Sequence, residues 1–212
     1  MTTAAYKDLG WIGDGAANGE SGLGLAQAFI QRAARLENVT RICDLGCGNG
    51  FITGRLAALG FDIIGIDASE SGLRIARNTY PKATFIKSLI DETIHELPQA
   101  GTFDLVISSD VIEHLYRPSQ LLEAARSLLR PNGHLLVGTP YHGYLKNLAL
   151  ALTGKLDSHF TVLHDGGHIK FFSVKTLSAL ITAHGFSDLQ FSYYGRAPRL
   201  WKNMICHARK SS

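Results

Sequence analysis

Cysteine is scarce in this sequence: three residues in 212, scattered, with no CxxC pair and no Cys/His finger spacing. That argues against a disulfide framework and against a structural zinc finger. No apolar run is long enough to span a bilayer and nothing at the N-terminus reads as a secretory signal, so a cytoplasmic location is expected. Net charge is only +3 and no stretch concentrates it into a patch, so no nucleic-acid partner is expected. The locally basic stretch Arg196–Lys210 reads as a solvated terminal strand. Internal repeats, low-complexity tracts and linkers are lacking too. What the chain does have is 45% hydrophobic content at domain length, enough for one real core. A single domain over residues 1–212 is expected, with 1–38 as an arm and first helix and 141–172 as an insertion.

Strand and helix patterns alternate along that length. Gly24–Leu36 has helical spacing, Arg41–Gly46 reads as a buried strand and Phe51–Leu59 as a helix. Asp62–Asp67 is a second strand, followed by the helix SGLRIARNTY and the strand ATFIK. Phe103–Ser109 reads as the fourth strand. A helix closed by Arg130-Pro131-Asn132-Gly133 leads to the fifth, Gly133–Pro140. These strands are apolar without alternation, which requires cover on both faces and so a parallel sheet between helices. After the helix SVKTLSALITAHG come DLQFSYYG and RLWKNMICHA, separated by too few residues for a parallel crossover, so they form an antiparallel hairpin. The expected fold is α/β, doubly wound, with a mostly parallel seven-stranded sheet that ends in an antiparallel hairpin and carries helices on both faces.

The stretch ICDLGCGNG (Ile42–Gly50) lies between a strand and a helix, where strand carboxyl ends make a ligand crevice. Its glycines let the backbone turn sharply and approach a ligand. A dinucleotide-binding loop would carry its third glycine where this chain has Phe51, which disfavours NAD. The pattern is D-x-G-x-G-x-G, and Asp67 ends the next strand, where an acidic side chain can take both hydroxyls of a ribose.

On these residues the chain resembles the class I S-adenosylmethionine-dependent methyltransferases. FDLVISSDVIEHL (Phe103–Leu115) is similar to the fourth-strand motif of the ubiquinone-biosynthesis O-methyltransferase type, in which an acidic residue, two apolar residues and Glu-His follow the strand. SLIDE (Ser88–Glu92) resembles the segment that covers the adenine, and GGHIKFFS (Gly166–Ser173) the stretch before the penultimate helix. The resemblance implies S-adenosyl-L-methionine as cofactor, held by Asp44, Gly46, Cys47, Gly48, Asp67, Ala68, Leu89, Ser109 and Asp110. Gly46 and Gly48 would meet its amino acid end and Asp67 its ribose. It also implies a divalent metal at Asp110, Glu113 and His114. If this stretch opens a helix, these three share one face. The family's arm arginine has no counterpart, because Met1–Gly22 contains no arginine.

A small-molecule acceptor is implied by the same likeness, most simply a phenol or prenylated quinone precursor methylated on oxygen. The alternatives are a sugar or glycan hydroxyl, a nitrogen, or a non-catalytic cofactor-binding module that regulates a partner. The Asn/Asp-Pro-Pro-Tyr signature of base methylases and the paired glutamates of protein-arginine methylases are both missing. A hydroxyl acceptor needs a proton acceptor, and histidine suits neutral pH. His114, His142 and His168 are the expected catalytic candidates, with His164 beside them. The segment Tyr144–Leu156 is apolar on most of its turn. It reads as a buried helix, as a lid, or as a helix lying on a membrane surface in peripheral contact over a greasy acceptor. The oligomeric state is not legible in the sequence.

Overall fold

The computed structural model describes residue 8 and residues 10–16, 20–160, 162–163 and 165–211. Five strands run parallel: β1 (Arg41–Leu45), β2 (Asp62–Asp67), β3 (Thr84–Lys87), β4 (Phe103–Ser109) and β5 (Leu129–Pro140). The last two, β6 (Phe186–Tyr194) and β7 (Asn203–Lys210), form an antiparallel hairpin whose second strand pairs antiparallel with β5. The sheet has seven strands in the order β3-β2-β1-β4-β5-β7-β6.

Successive strand side chains point to opposite faces, and here both faces are apolar. Ile42, Leu105, Ile107, Leu136 and Ile205 lie on one face under α1 (Glu20–Ala34) and α2 (Phe51–Ala58), which contribute Leu25, Phe29 and Leu56. Cys43, Leu45, Val106, Leu135 and Val137 lie on the other under α4 (Ser119–Leu128) and α7 (Val174–Ala183), which contribute Leu121, Leu128, Leu177 and Ile181. The apolar stretches of β1, β4 and the second half of β5 therefore have a physical cause: these central strands have no solvent face. Toward the far edge, α3 (Glu70–Thr79) sets Leu73 and Ala76 against Phe85 and Cys47.

Three details depart from the sequence expectation. First, β5 begins at Leu129 rather than Gly133. Leu129 pairs with Phe103, the register then breaks, and Asn132 takes a left-handed turn before regular pairing resumes at His134. Second, the hairpin loop spans 195–202, because the Trp201 ring stacks on Tyr193 and Lys202 N–H donates to Tyr194 O, which ends the ladder. Third, the Tyr144–Leu156 segment is two helices, α5 (Tyr144–Leu152) and α6 (Leu156–Phe160). Gly154, at φ 63°, breaks them.

Candidate active site

The carboxyl ends of β1, β2, β4 and β5 open onto one crevice. At β1 the chain turns through Gly46 (φ 79°), Gly48 (φ 54°) and Gly50 (φ 77°). Close approach as well as conformation demands glycine here. A Cβ on Gly46 would lie 2.3 Å from Val111 Cγ2, and one on Gly48 would lie 2.3 Å from Trp11 Cζ2. The loop is pinned to β2 by Gly46 N–H and Cys47 N–H, which both donate to Ile66 O.

Asp67 closes β2 and ties three elements together. Its Oδ2 accepts from Gly48 N–H at 2.7 Å and its Oδ1 from Ser69 N–H at 2.7 Å. Burial raises its pKa, and the backbone donors oppose that shift. Ala68 is half-buried next to it. Leu89 is 49% exposed just past β3, and the chain is anchored there by Ser88 N–H to Asp67 O. Asp44 and Cys47 lie lower. Asp44 is buried and accepts from Thr53 Oγ1 at 2.6 Å. Burial pushes its carboxyl up to about 7. The Cys47 thiol is buried between Gly65 and the Phe85 cluster. Both side chains are buried, Asp44 2% and Cys47 8% exposed.

Sequence reasoning missed the cover over this loop. The described part of the N-terminal arm crosses it. The Trp11 ring rests on Gly48 and Gly72, and the Trp11 backbone N–H donates to Ser71 Oγ. Asn49, which is buried, donates to Gly13 O and Gly15 O. Asp8 accepts from Ser71 N–H and from the Ser69 and Ser71 hydroxyls, which holds its carboxyl well below the usual range. A tryptophan in a glycine-rich arm was the signal available in the sequence.

Beyond β4 the geometry is not the helical face expected for Asp110, Glu113 and His114. Asp110 takes a left-handed turn (φ 54°), and only Ile112–His114 coil, as a 3-10 turn. The 3-10 turn ends at Leu115 with no α-helix continuing it, so the i, i+3, i+4 geometry does not form. Glu113 is fully buried. Its Oε2 accepts from Thr139 Oγ1 at 2.9 Å, and its backbone O accepts from both Ile169 N–H and Lys170 N–H at 3.0 Å. Those two bonds dock the Gly166–Ser173 stretch and bring His168 Nε2 to 3.9 Å from Glu113 Oε1. One ligand atom each from Glu113, His114 and His168 lie within 4.8 Å of one another, and the two imidazoles meet edge-on with centroids 4.8 Å apart. Asp110 lies against Glu113 instead. Burial raises both carboxyls, Asp110 to about 6, and the charge on Asp110 pushes Glu113 further up. Ser109 is half-buried at the strand end beside them.

His142, one residue past Tyr141, is buried in an aromatic cage. Phe171 lies 5.0 Å from its ring centroid, His159 at 5.4 Å and Phe160 at 5.9 Å. Burial, then Lys146, lowers its pKa to about 4, and burial, then His114, does the same for His168. Both are neutral imidazoles at pH 7. His164 lies outside the described residues. Of the expected histidines, the structure joins His114 and His168 through Glu113 and places His142 behind them in the cage.

Helix α5 is inverted. It turns Lys146 and Leu150 inward, while Leu145, Leu148 and Leu152 are exposed. Past it, Leu156, Val162 and Leu163 are exposed as well. No helix among the described residues is long and apolar enough to cross a membrane.

Among known proteins, the family described as the methyltransferase domain matches residues 21–190. The ubiquinone biosynthesis O-methyltransferase of Mesorhizobium japonicum is 34% identical over 124 residues, which is 58% of this chain and 49% of that protein. The protein of the same name from Vibrio parahaemolyticus is 26% identical over 185 residues, covering 80% of this chain and 77% of it. The chain thus spans about half the length of the first relative and about three quarters of the second. Among solved structures, an S-adenosylmethionine-dependent methyltransferase from Mesorhizobium loti superposes with a TM-score of 0.65 at 22% identity, over 87% of this chain and 98% of that one. One from Archaeoglobus fulgidus gives 0.65 at 17% identity, over 87% and 94%. At those identities the two superpositions establish the fold.

Proposed function

Because the chain belongs to the methyltransferase-domain family, and so takes its methyl group from S-adenosylmethionine, we propose that it transfers that group to a hydroxyl of a small-molecule acceptor. A phenol or prenylated quinone precursor is the simplest acceptor, in keeping with the names of the relatives. One observation carries the reading. Asp67 at the end of β2 and the Glu113–His114–His168 group after β4 flank β1 in a single crevice. Two strand spacings separate β2 from β4, roughly 10 Å, a gap that the cofactor's ribose and methyl sulfonium together with an acceptor hydroxyl can bridge.

In this reading Asp67 takes the ribose hydroxyls and the glycine loop lies along the amino acid end, with Ser109 and Asp110 nearby and Leu89 against the adenine. Asp44 and Cys47 brace the loop, and Ala68 closes the strand end. The transfer is an in-line displacement at the methyl carbon, so the chain's task is alignment and exclusion of water. Residues 141–172 serve as the acceptor lid, with Phe160, Phe171 and His142 keeping water out. His168 and His114 receive the acceptor hydroxyl and its proton, with Glu113 fixing their placement.

The same cluster fits a divalent ion. Glu113 Oε1 is buried with no hydrogen-bond partner, and one carboxylate with two imidazoles suits zinc, manganese or iron better than magnesium. Glu113, His114 and His168 would hold the ion, with Asp110 behind Glu113. Bound there, it would supply a lowered pKa at the acceptor hydroxyl. The exposed leucines of α5 favour peripheral contact with a membrane surface that stores a greasy acceptor.

The test is calorimetric. S-adenosylhomocysteine should bind and NAD should not. Asp67→Ala should weaken S-adenosylhomocysteine binding by about 1–3 kcal/mol, the scale of hydrogen bonds to a charged group. Tight NAD binding, or unchanged affinity in Asp67→Ala, would overturn this reading. A second expected result concerns the arm. Trp11 and Trp201 are the two tryptophans of the chain, and Trp11 covers the loop. In a Trp201→Phe protein, S-adenosylhomocysteine should change the emission of Trp11 saturably. A silent Trp11 at full occupancy would place the arm away from the cofactor.

A further inference from the structure

Lys146 is 2% exposed, and its ammonium donates to Tyr141 O at 2.6 Å. A lysine ammonium has three donors, and among the described residues no carboxylate pairs with this one. The charges that reach it are positive: Arg196 and Lys202, from the hairpin loop, both act on it, and burial together with those charges brings it down to about 8. His142 and His159, next to it in the cage, are depressed in turn by burial and by Lys146 itself. Glu113 bonds to Thr139 and Asp110 to Glu113, and neither carboxyl is among the charges that act on Lys146. His142 Nδ1 and Asn147 Oδ1 are both buried, and the Asn147 side chain interacts with His142. Helix α5 begins at Gly143 with no side-chain cap and no acidic residue in its first turn, so its amino-terminal N–H groups face the same region with a positive end.

Burying an unpaired ammonium costs free energy unless an anion completes it. A structural lysine would be paired, or would reach solvent along its stem. This one is turned inward on a helix that leaves three leucines outside. We propose that Lys146, with His142 and the amino terminus of α5, forms an anion subsite in the acceptor pocket, and that the acceptor carries a carboxylate or phosphate beside the hydroxyl that is methylated. Arg196 and Lys202 add a positive field at its mouth. This inference rests on the methyl-transfer reading.

The experiment is titration calorimetry on the full chain saturated with S-adenosylhomocysteine. The probes are catechol, 3,4-dihydroxybenzoate and 3,4-dihydroxyphenyl phosphate, which share the vicinal diol and differ in charge. The wild-type protein should bind at least one anionic probe about tenfold or more tighter than catechol, the scale of one charged hydrogen bond, and the tighter of the two anions identifies the group. Lys146→Met keeps the stem and removes the charge, and it should bring the anions level with catechol. Lys146→Arg should retain most of the preference. Equal binding of all three probes by the wild type, no binding of either anion at millimolar concentration, or a preference that survives Lys146→Met would each overturn the proposal. Retained S-adenosylhomocysteine binding with no anion preference overturns the subsite alone, whereas failure of the wild type to bind S-adenosylhomocysteine overturns the function beneath it.

Discussion

Glu113→Ala should slow methyl transfer by about a hundredfold or more, the usual contribution of a positioned proton-transfer group, with S-adenosylhomocysteine affinity essentially unchanged. Glu113 is fully buried and holds the Thr139 hydroxyl, while its backbone carbonyl docks the chain at Ile169 and Lys170. The backbone bonds survive the substitution, so the 168 segment stays docked and only the carboxyl is lost. Thr139 then loses its acceptor, at about 1–3 kcal/mol of stability. Glu113→Gln separates chemistry from stability, because it keeps the volume and an acceptor for Thr139. It should melt close to wild type and still transfer slowly. The measurement is S-adenosylhomocysteine release with a competent acceptor, before and after exhaustive chelation. A chelated protein at full rate, with His114→Ala inactive, would remove the metal and leave His114 as base or orienting group. Full rate in Glu113→Ala and His114→Ala together would make the cluster structural and turn attention to His142.

Gly46→Val is expected to do two kinds of damage at once. Its Cβ would lie 2.3 Å from Val111 Cγ2, in a packed loop that cannot widen without moving the turn after β4. Left-handed backbone costs a residue with a side chain roughly 1–2 kcal/mol, and a β-branched one more. Overpacking adds about 1–3 kcal/mol. Thermal unfolding should show a drop in Tm of several degrees or more, and calorimetry should show S-adenosylhomocysteine binding lost. Wild-type affinity in Gly46→Val would mean that the cofactor does not lie along this loop. Val111→Ala in the same background clears the clash without relieving the left-handed strain, so it should recover part of the stability.

The order of the elements could be read in the chain because the central strands between Arg41 and Pro140 are apolar on both faces and each helix carries its own period. D-x-G-x-G-x-G and Asp67 could be read because both lie at strand ends, and their spacing is set by strand and loop lengths alone. The hairpin was legible from the few residues between its two runs. The register break after Leu129 was not, because Arg130-Pro131-Asn132-Gly133 reads as a turn whether it lies before a strand or within one.

Those local features determined the fold, the crevice and the expected place of the cofactor. The acceptor side was decided by tertiary contacts. His168 meets Glu113 only because two backbone N–H groups from a coil bond to Glu113 O, and no periodicity encodes a bond between a turn and a distant coil. A 3-10 turn after Asp110 takes the place of a helical face that spacing alone had suggested. Lys146 faces inward, bonded to Tyr141 O just past β5, and three leucines face out. A helix's own hydrophobic pattern would have turned it the other way. Trp11 covers Gly48 because Asp8, Ser71 and Asn49 tie the arm down across chain-distant partners. Contacts between neighbours along the chain are written in the sequence, whereas recognition of the acceptor depends on neighbours in space.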